Sequence, residues 1–97
     1  MLTSYSELRN FLDNSINDIL SKLGKTFDSN NFIDAFRHIY PNEYAEAALF
    51  AGTFRNLHSW IARHYLSRCS RVKDLGLSRK SRIGINGNTT RNHRWEQ

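Results

Sequence analysis

Apolar residues recur at three-and-four spacing through the first seventy residues, and that rhythm predicts helices. Leu8, Phe11, Leu12, Ile16, Ile19, Leu20 and Leu23 line one face of a first amphipathic helix over about 5–23. Ser4 stands three residues before Glu7, the spacing of a capping box, and Gly24 is a natural stop. Asp28 or Ser29 can cap a second helix in which Phe32, Ile33, Phe36, Ile39 and Tyr40 face inward. Pro41 ends it, because proline disfavours helical geometry in the residue before it, and suits the first turn of the next. PNEYAEAALFAG then predicts a short alanine-rich helix closing at Gly52. Thr53 caps a fourth helix over about 54–68, in which Phe54, Leu57, Ile61 and Tyr65 form an apolar stripe with Trp60 and Leu66 to either side. Its opposite face offers Arg55, Asn56, Ser59, Arg63 and Arg68.

Beyond Cys69 the helical rhythm fades. Glycines stand at 76, 84 and 87, and Asn86-Gly87 is the strongest short-range signal for a type I′ hairpin turn. Ile83 and Ile85 alternate with Arg82 and Gly84 on the incoming arm, and Trp95 closes the outgoing arm across from an isoleucine. The predicted fold is mainly α: three to four helices followed by a C-terminal β-hairpin, in one domain over 1–97 with a helical body at about 4–69 and a basic hairpin at about 72–95. The alternative is an all-α bundle with a disordered basic tail.

Ninety-seven residues build one hydrophobic core, and an apolar fraction of 39% with 12% aromatics is that of a folded chain. Charge adds more. Residues 1–52 carry seven acids and four bases, a net of −3, whereas residues 53–97 carry ten bases against Asp74 and Glu96, a net of +8. Such asymmetry points to a polyanionic partner, nucleic acid before an anionic membrane surface, although basic tails also serve solubility. Cys69 is the sole cysteine, so neither an internal disulfide nor a cysteine-based zinc site can form, which favours a reducing cytoplasmic setting. The N-terminus lacks a signal-peptide pattern and no stretch approaches the roughly 18 apolar residues of a membrane span, so no membrane partner is expected.

The order of parts resembles the winged helix-turn-helix family, with Ala48 and Gly52 in the Ala-x-x-x-Gly spacing of many helix-turn-helix units. The likeness covers residues 41–95; His58 departs from it by standing where the family usually has an aliphatic residue. The resemblance implies a helix-turn-helix from Pro41 to about Cys69, with helix 54–68 in the major groove and a hairpin over 82–95 gripping the flanking backbone. Arg55, Asn56, Ser59 and Arg63 would then face base edges; arginine can pair with guanine and asparagine with adenine. Arg79, Lys80, Arg82, Arg91 and Arg94 would lie near phosphates, with Asn88, Thr89 and Thr90 as neutral donors; such contacts position the protein without reading sequence. The expected function is non-enzymatic binding of double-stranded DNA, as a transcriptional regulator or an accessory subunit of a DNA-processing complex.

Catalytic and metal motifs are absent: there is no HExxH, GxxxxGK[ST] or GxSxG. His38, His58, His64 and His93 show no ligand spacing; His58 and His64, six apart, point to different faces of a helix. A nuclease could be assembled from His64, Arg63 and a distant acid, but any small basic protein offers as much. No catalytic residue, metal or cofactor is therefore expected. His58 is expected to be a partly buried helix residue. The competing function is a small helical protein-interaction module or inhibitor, with Tyr5, Tyr40, Tyr44, Trp60 and Tyr65 as surface anchors and the basic C-terminus docked on an acidic protein. A homodimer through the spare part of the first helix's stripe is a further possibility, and RNA binding lacks any aromatic sheet motif.

Overall fold

A computed structural model describes residues 1–77, 82–83, 89–90 and 93–97; at Leu77, 82–83 and 89–90 it describes the backbone alone. Its order is α1 (Tyr5–Leu20), β1 (Thr26–Asp28), α2 (Ser29–Ile39), α3 (Pro41–Ala51), α4 (Phe54–Trp60), β2 (Lys73–Leu77), β3 (Arg82–Ile83), β4 (Thr89–Thr90) and β5 (His93–Glu96). The fold is mainly helical with a small antiparallel sheet after the helices. Of the sequence expectations, the Asn86-Gly87 turn and Arg79, Lys80, Asn88 and Arg91 lie outside the described residues.

Local chemistry sets the helix boundaries. Ser4 Oγ accepts the Glu7 amide at 3.2 Å, and Glu7 Oε1 accepts the Thr3 amide at 2.9 Å, so the acid reaches one residue further back than in a standard capping box. Leu8, Leu12, Ile16 and Ile19 are buried along one stripe of α1. The helix ends at Leu20 rather than Leu23, because Lys22 and Leu23 bond back to Ile19 and Leu20 in tight three-residue turns. Asp28 caps α2 reciprocally: its carboxylate accepts the Asn31 amide at 2.8 Å and Asn31 Oδ1 accepts the Asp28 amide at 3.0 Å. Pro41 opens α3, and Gly52, at φ 92°, makes the corner into α4 at an angle where a side chain would be strained.

The strand at Thr26–Asp28 is absent from the sequence reading. It forms one edge of a three-stranded antiparallel sheet ordered β1-β5-β2. Phe27 faces Trp95 and Asp28 faces Arg94; on the other side Asp74 faces Trp95 and Gly76 faces Arg94, with a bulge between Asp74 and Gly76. Gly76 takes φ 85° there, and Asp74 Oδ1 accepts its amide at 2.7 Å. The pairing of β2 with β5 begins at Lys73, within the hairpin expected at about 72–95, and the short β3-β4 pair falls between those strands in sequence. This sheet excludes the all-α alternative. Trp95 does not sit across from an isoleucine: it is 1% exposed in the core, and its indole nitrogen donates to Ser29 Oγ at 3.0 Å. Gln97 extends the tether, its amide donating to the carbonyls of Leu20 and Gly24 at 3.0 and 2.9 Å, so the outgoing strand closes the end of α1.

Candidate nucleic-acid interface

α4 is regular only from Phe54 to Trp60, capped by Thr53, whose Oγ1 accepts the Asn56 amide at 3.0 Å. Residues Ile61–Tyr65 then form a π-helical turn and Leu66–Arg68 a tight 3-10 turn. The departure from the expected regular helix follows from the core. At about 100° per residue Leu66 would stand about 180° from Leu57, yet Leu57, Ile61, Tyr65 and Leu66 are all buried. Widening one turn rotates the later residues back onto the inward side. The altered turn leaves carbonyls that side chains satisfy: Arg9 Nη2 donates to the His64 carbonyl at 3.0 Å, and Ser67 Oγ to that of Arg63. The Arg9 guanidinium also lies over the rings of Trp60 and Tyr65, at 5.3 and 5.8 Å, pinning α1 to the wide turn. Tyr65 donates to Asp13 Oδ1 at 2.9 Å, and its burial, with that bond, drives the phenol's pKa strongly up.

The four residues expected to face base edges lie on α4 and the turn that follows it. Arg55, Asn56 and Arg63 are exposed and Ser59 is half-buried, with Arg55, Ser59 and Arg63 four apart. Asn56 is not wholly available: its Nδ2 donates to the Ala51 carbonyl at 3.0 Å and locks the corner. Arg94 is exposed on β5, between Asp28 of β1 and Gly76 of β2, on the sheet face opposite Trp95 and on a different element from the other four. Arg82 and Thr89 are placed as residues of β3 and β4, in backbone only.

Between described residues, ion pairs join Arg37 to Asp34, at 3.4 Å, and His93 to Asp74. Arg55, Arg63, Arg68, Arg71, Lys73 and Arg94 are all exposed and none pairs with a described carboxylate. The chain has no acid between Glu46 and Asp74, so the surface of α4 and its exit is basic without interruption. The acids gather elsewhere: a shallow cleft between the N-terminus and α3 is lined by Leu2, Glu7, Phe11, Glu43 and Glu46 and is unsuited to an anion. Two proposed surface anchors are core residues, Tyr44 at 8% and Tyr65 at 1% exposure, because both rings pack between helices. Tyr5 and Trp60 stack on one another at 4.8 Å and are half-buried.

His58 occupies the inner side of the α3–α4 corner, half-buried, its Nε2 hydrogen-bonded to the Tyr44 hydroxyl at 2.7 Å. Desolvation holds the imidazole below its ordinary pKa of 6.5; Asp34 opposes the shift and Arg37 adds to it. The unfolded chain thus binds the proton more readily. This contribution to stability is complete above about pH 6.5 and is lost as the pH falls toward the depressed folded value. Thermal melts from about pH 7.5 to about pH 5 should show the wild type losing a few degrees more than His58→Gln, which keeps a partner for Tyr44 but does not titrate. Equal slopes for the two proteins would rule out the contribution.

Sequence reasoning missed Arg9, since nothing local reveals a contact 55 residues away, and it placed Phe54 on the inward stripe although the residue is 58% exposed. Among the described residues no group of His, Cys, Asp and Glu converges as a metal would require, and no helix is long and apolar enough to cross a membrane. No protein-family model matches the chain, and neither does any curated protein or solved structure.

Proposed function

We propose that the protein binds double-stranded DNA without catalysing a reaction, presenting the outer face of α4 to the major groove and the strands that follow to the flanking backbone, in transcriptional control or as an accessory subunit of a DNA-processing complex. One observation carries this reading: Arg55, Arg63, Arg68 and Arg71, on α4 and its exit, are exposed and lack a described acidic partner, in a stretch that holds no acid from Thr53 to Val72. Their counter-charge has to come from outside, and a phosphate backbone supplies it at regular spacing. The succession of helices, a glycine corner, a further helix and an antiparallel hairpin also agrees with the winged-helix resemblance.

The test is fluorescence anisotropy of a labelled duplex of mixed sequence with wild type and with Arg55→Gln/Arg63→Gln. Both arginines are exposed, so the variant should fold normally. Loss of one or two charge-assisted contacts of about 1.5 kcal/mol each should weaken binding roughly ten- to a hundred-fold. Unchanged affinity would remove α4 from the interface, and an absence of duplex binding by the wild type would transfer the basic surface to an acidic protein partner.

A further inference from the structure

Phe54 is the first residue of α4, next to Arg55, and the residue is 58% exposed. It is not a loose surface side chain. The ring stacks on Tyr44 with centroids 5.7 Å apart and planes 14° from parallel, and a tilted His58 ring lies 6.4 Å away. Tyr44 is itself held by its hydrogen bond to His58. An aromatic ring backed in this way gives up little further rotamer freedom on meeting a partner. The neighbouring amide is engaged inward, since Asn56 Nδ2 donates to the Ala51 carbonyl, which leaves an apolar ring and a guanidinium as the outward chemistry of the corner.

We infer that Phe54 covers the C5-methyl group of a thymine, so that the protein prefers duplex in which thymine lies beside the base pair or phosphate held by Arg55. The inference rests on the reading of α4 as a DNA-binding helix and deepens it. The thymine methyl is the one apolar group that standard bases project into the major groove, and phenylalanine is among the side chains that contact it. The setting repels a cationic partner: Arg55 adjoins the ring, and the sequence holds no acid between Glu46 and Asp74.

The experiment compares two pools of labelled duplex, each about 20 base pairs, or two turns, with randomised centres. One is synthesised with thymine and the other with deoxyuridine, which lacks only the methyl. Wild type should bind the thymine pool more tightly, by up to about four-fold for each methyl covered. Phe54→Ala should bind both pools equally, near the wild-type affinity for the uracil pool, and Phe54→Leu should retain most of the difference; circular dichroism checks that each variant is folded. A wild type that binds both pools equally would overturn the thymine inference and leave DNA binding standing. A thymine preference kept by Phe54→Ala would also overturn it, by placing the methyl contact elsewhere. Failure to bind either pool would overturn the inference together with the DNA reading.

Discussion

Replacing Trp95 by alanine is expected to cost about 3–5 kcal/mol, the usual range for removing a fully buried tryptophan. A domain of this size has roughly 5–15 kcal/mol in all, so the variant would be marginal at physiological temperature. The residue is 1% exposed, donates to Ser29 at the start of α2, faces Phe27 on one side and stacks on His93 at 4.6 Å. Its loss opens a cavity where the sheet meets α2 and frees the segment that caps α1. In a thermal melt the midpoint should fall on the order of 20 °C. Ser29→Ala, which removes only the indole's partner, should cost about 1–3 kcal/mol. A melting point for Trp95→Ala within a few degrees of wild type would show that β5 is not part of the cooperative core.

Trp95 also marks where local sequence signals stop specifying the fold. Helix starts and stops were legible because their chemistry is local: Ser4, Asp28, Pro41, Gly52 and Thr53 each act within three or four residues of themselves. Strand β1 was not, since three residues, Thr-Phe-Asp, are too few to show an alternating pattern, and its partner lies some 70 residues downstream. The wide turn at Ile61–Tyr65 was hidden for a similar reason: it exists to bury both Tyr65 and Leu66, a demand set by tertiary packing. The outer face of α4 was visible because three-and-four spacing separates Arg55, Ser59 and Arg63 from Leu57 and Ile61. The same periodicity misplaced Phe54, since Leu57 fills the inward position one turn later and Phe54, though stacked on Tyr44, stays 58% exposed.

The burial of Trp95 decides how the basic tail can be tested. Deleting the residues after Leu77 would remove β5 from the core along with the charge, and any lost binding would report unfolding. Replacing Arg79, Lys80, Arg82 and Arg91 with glutamine removes four positive charges and leaves Trp95 and Gln97 in place. If five to seven bases of the whole protein meet phosphates, the logarithm of affinity should fall with the logarithm of salt at a slope of roughly −4.5 to −6. Between 50 and 200 mM salt that is a weakening of roughly 500- to 4,000-fold. Each of the four substituted bases that contacts a phosphate should make the slope shallower by about 0.9. Two such contacts would give a change of about 1.8, and contact by all four about 3.6, so the slope counts how many tail charges reach the backbone. A parallel Arg55→Gln/Arg63→Gln measurement separates the helix from the tail, because independent phosphate contacts subtract from the slope additively. A wild-type affinity that stays flat across this range would mean that the basic half meets no polyanion. The unpaired arginines of α4 would then have to be read as a face for a protein with acidic side chains.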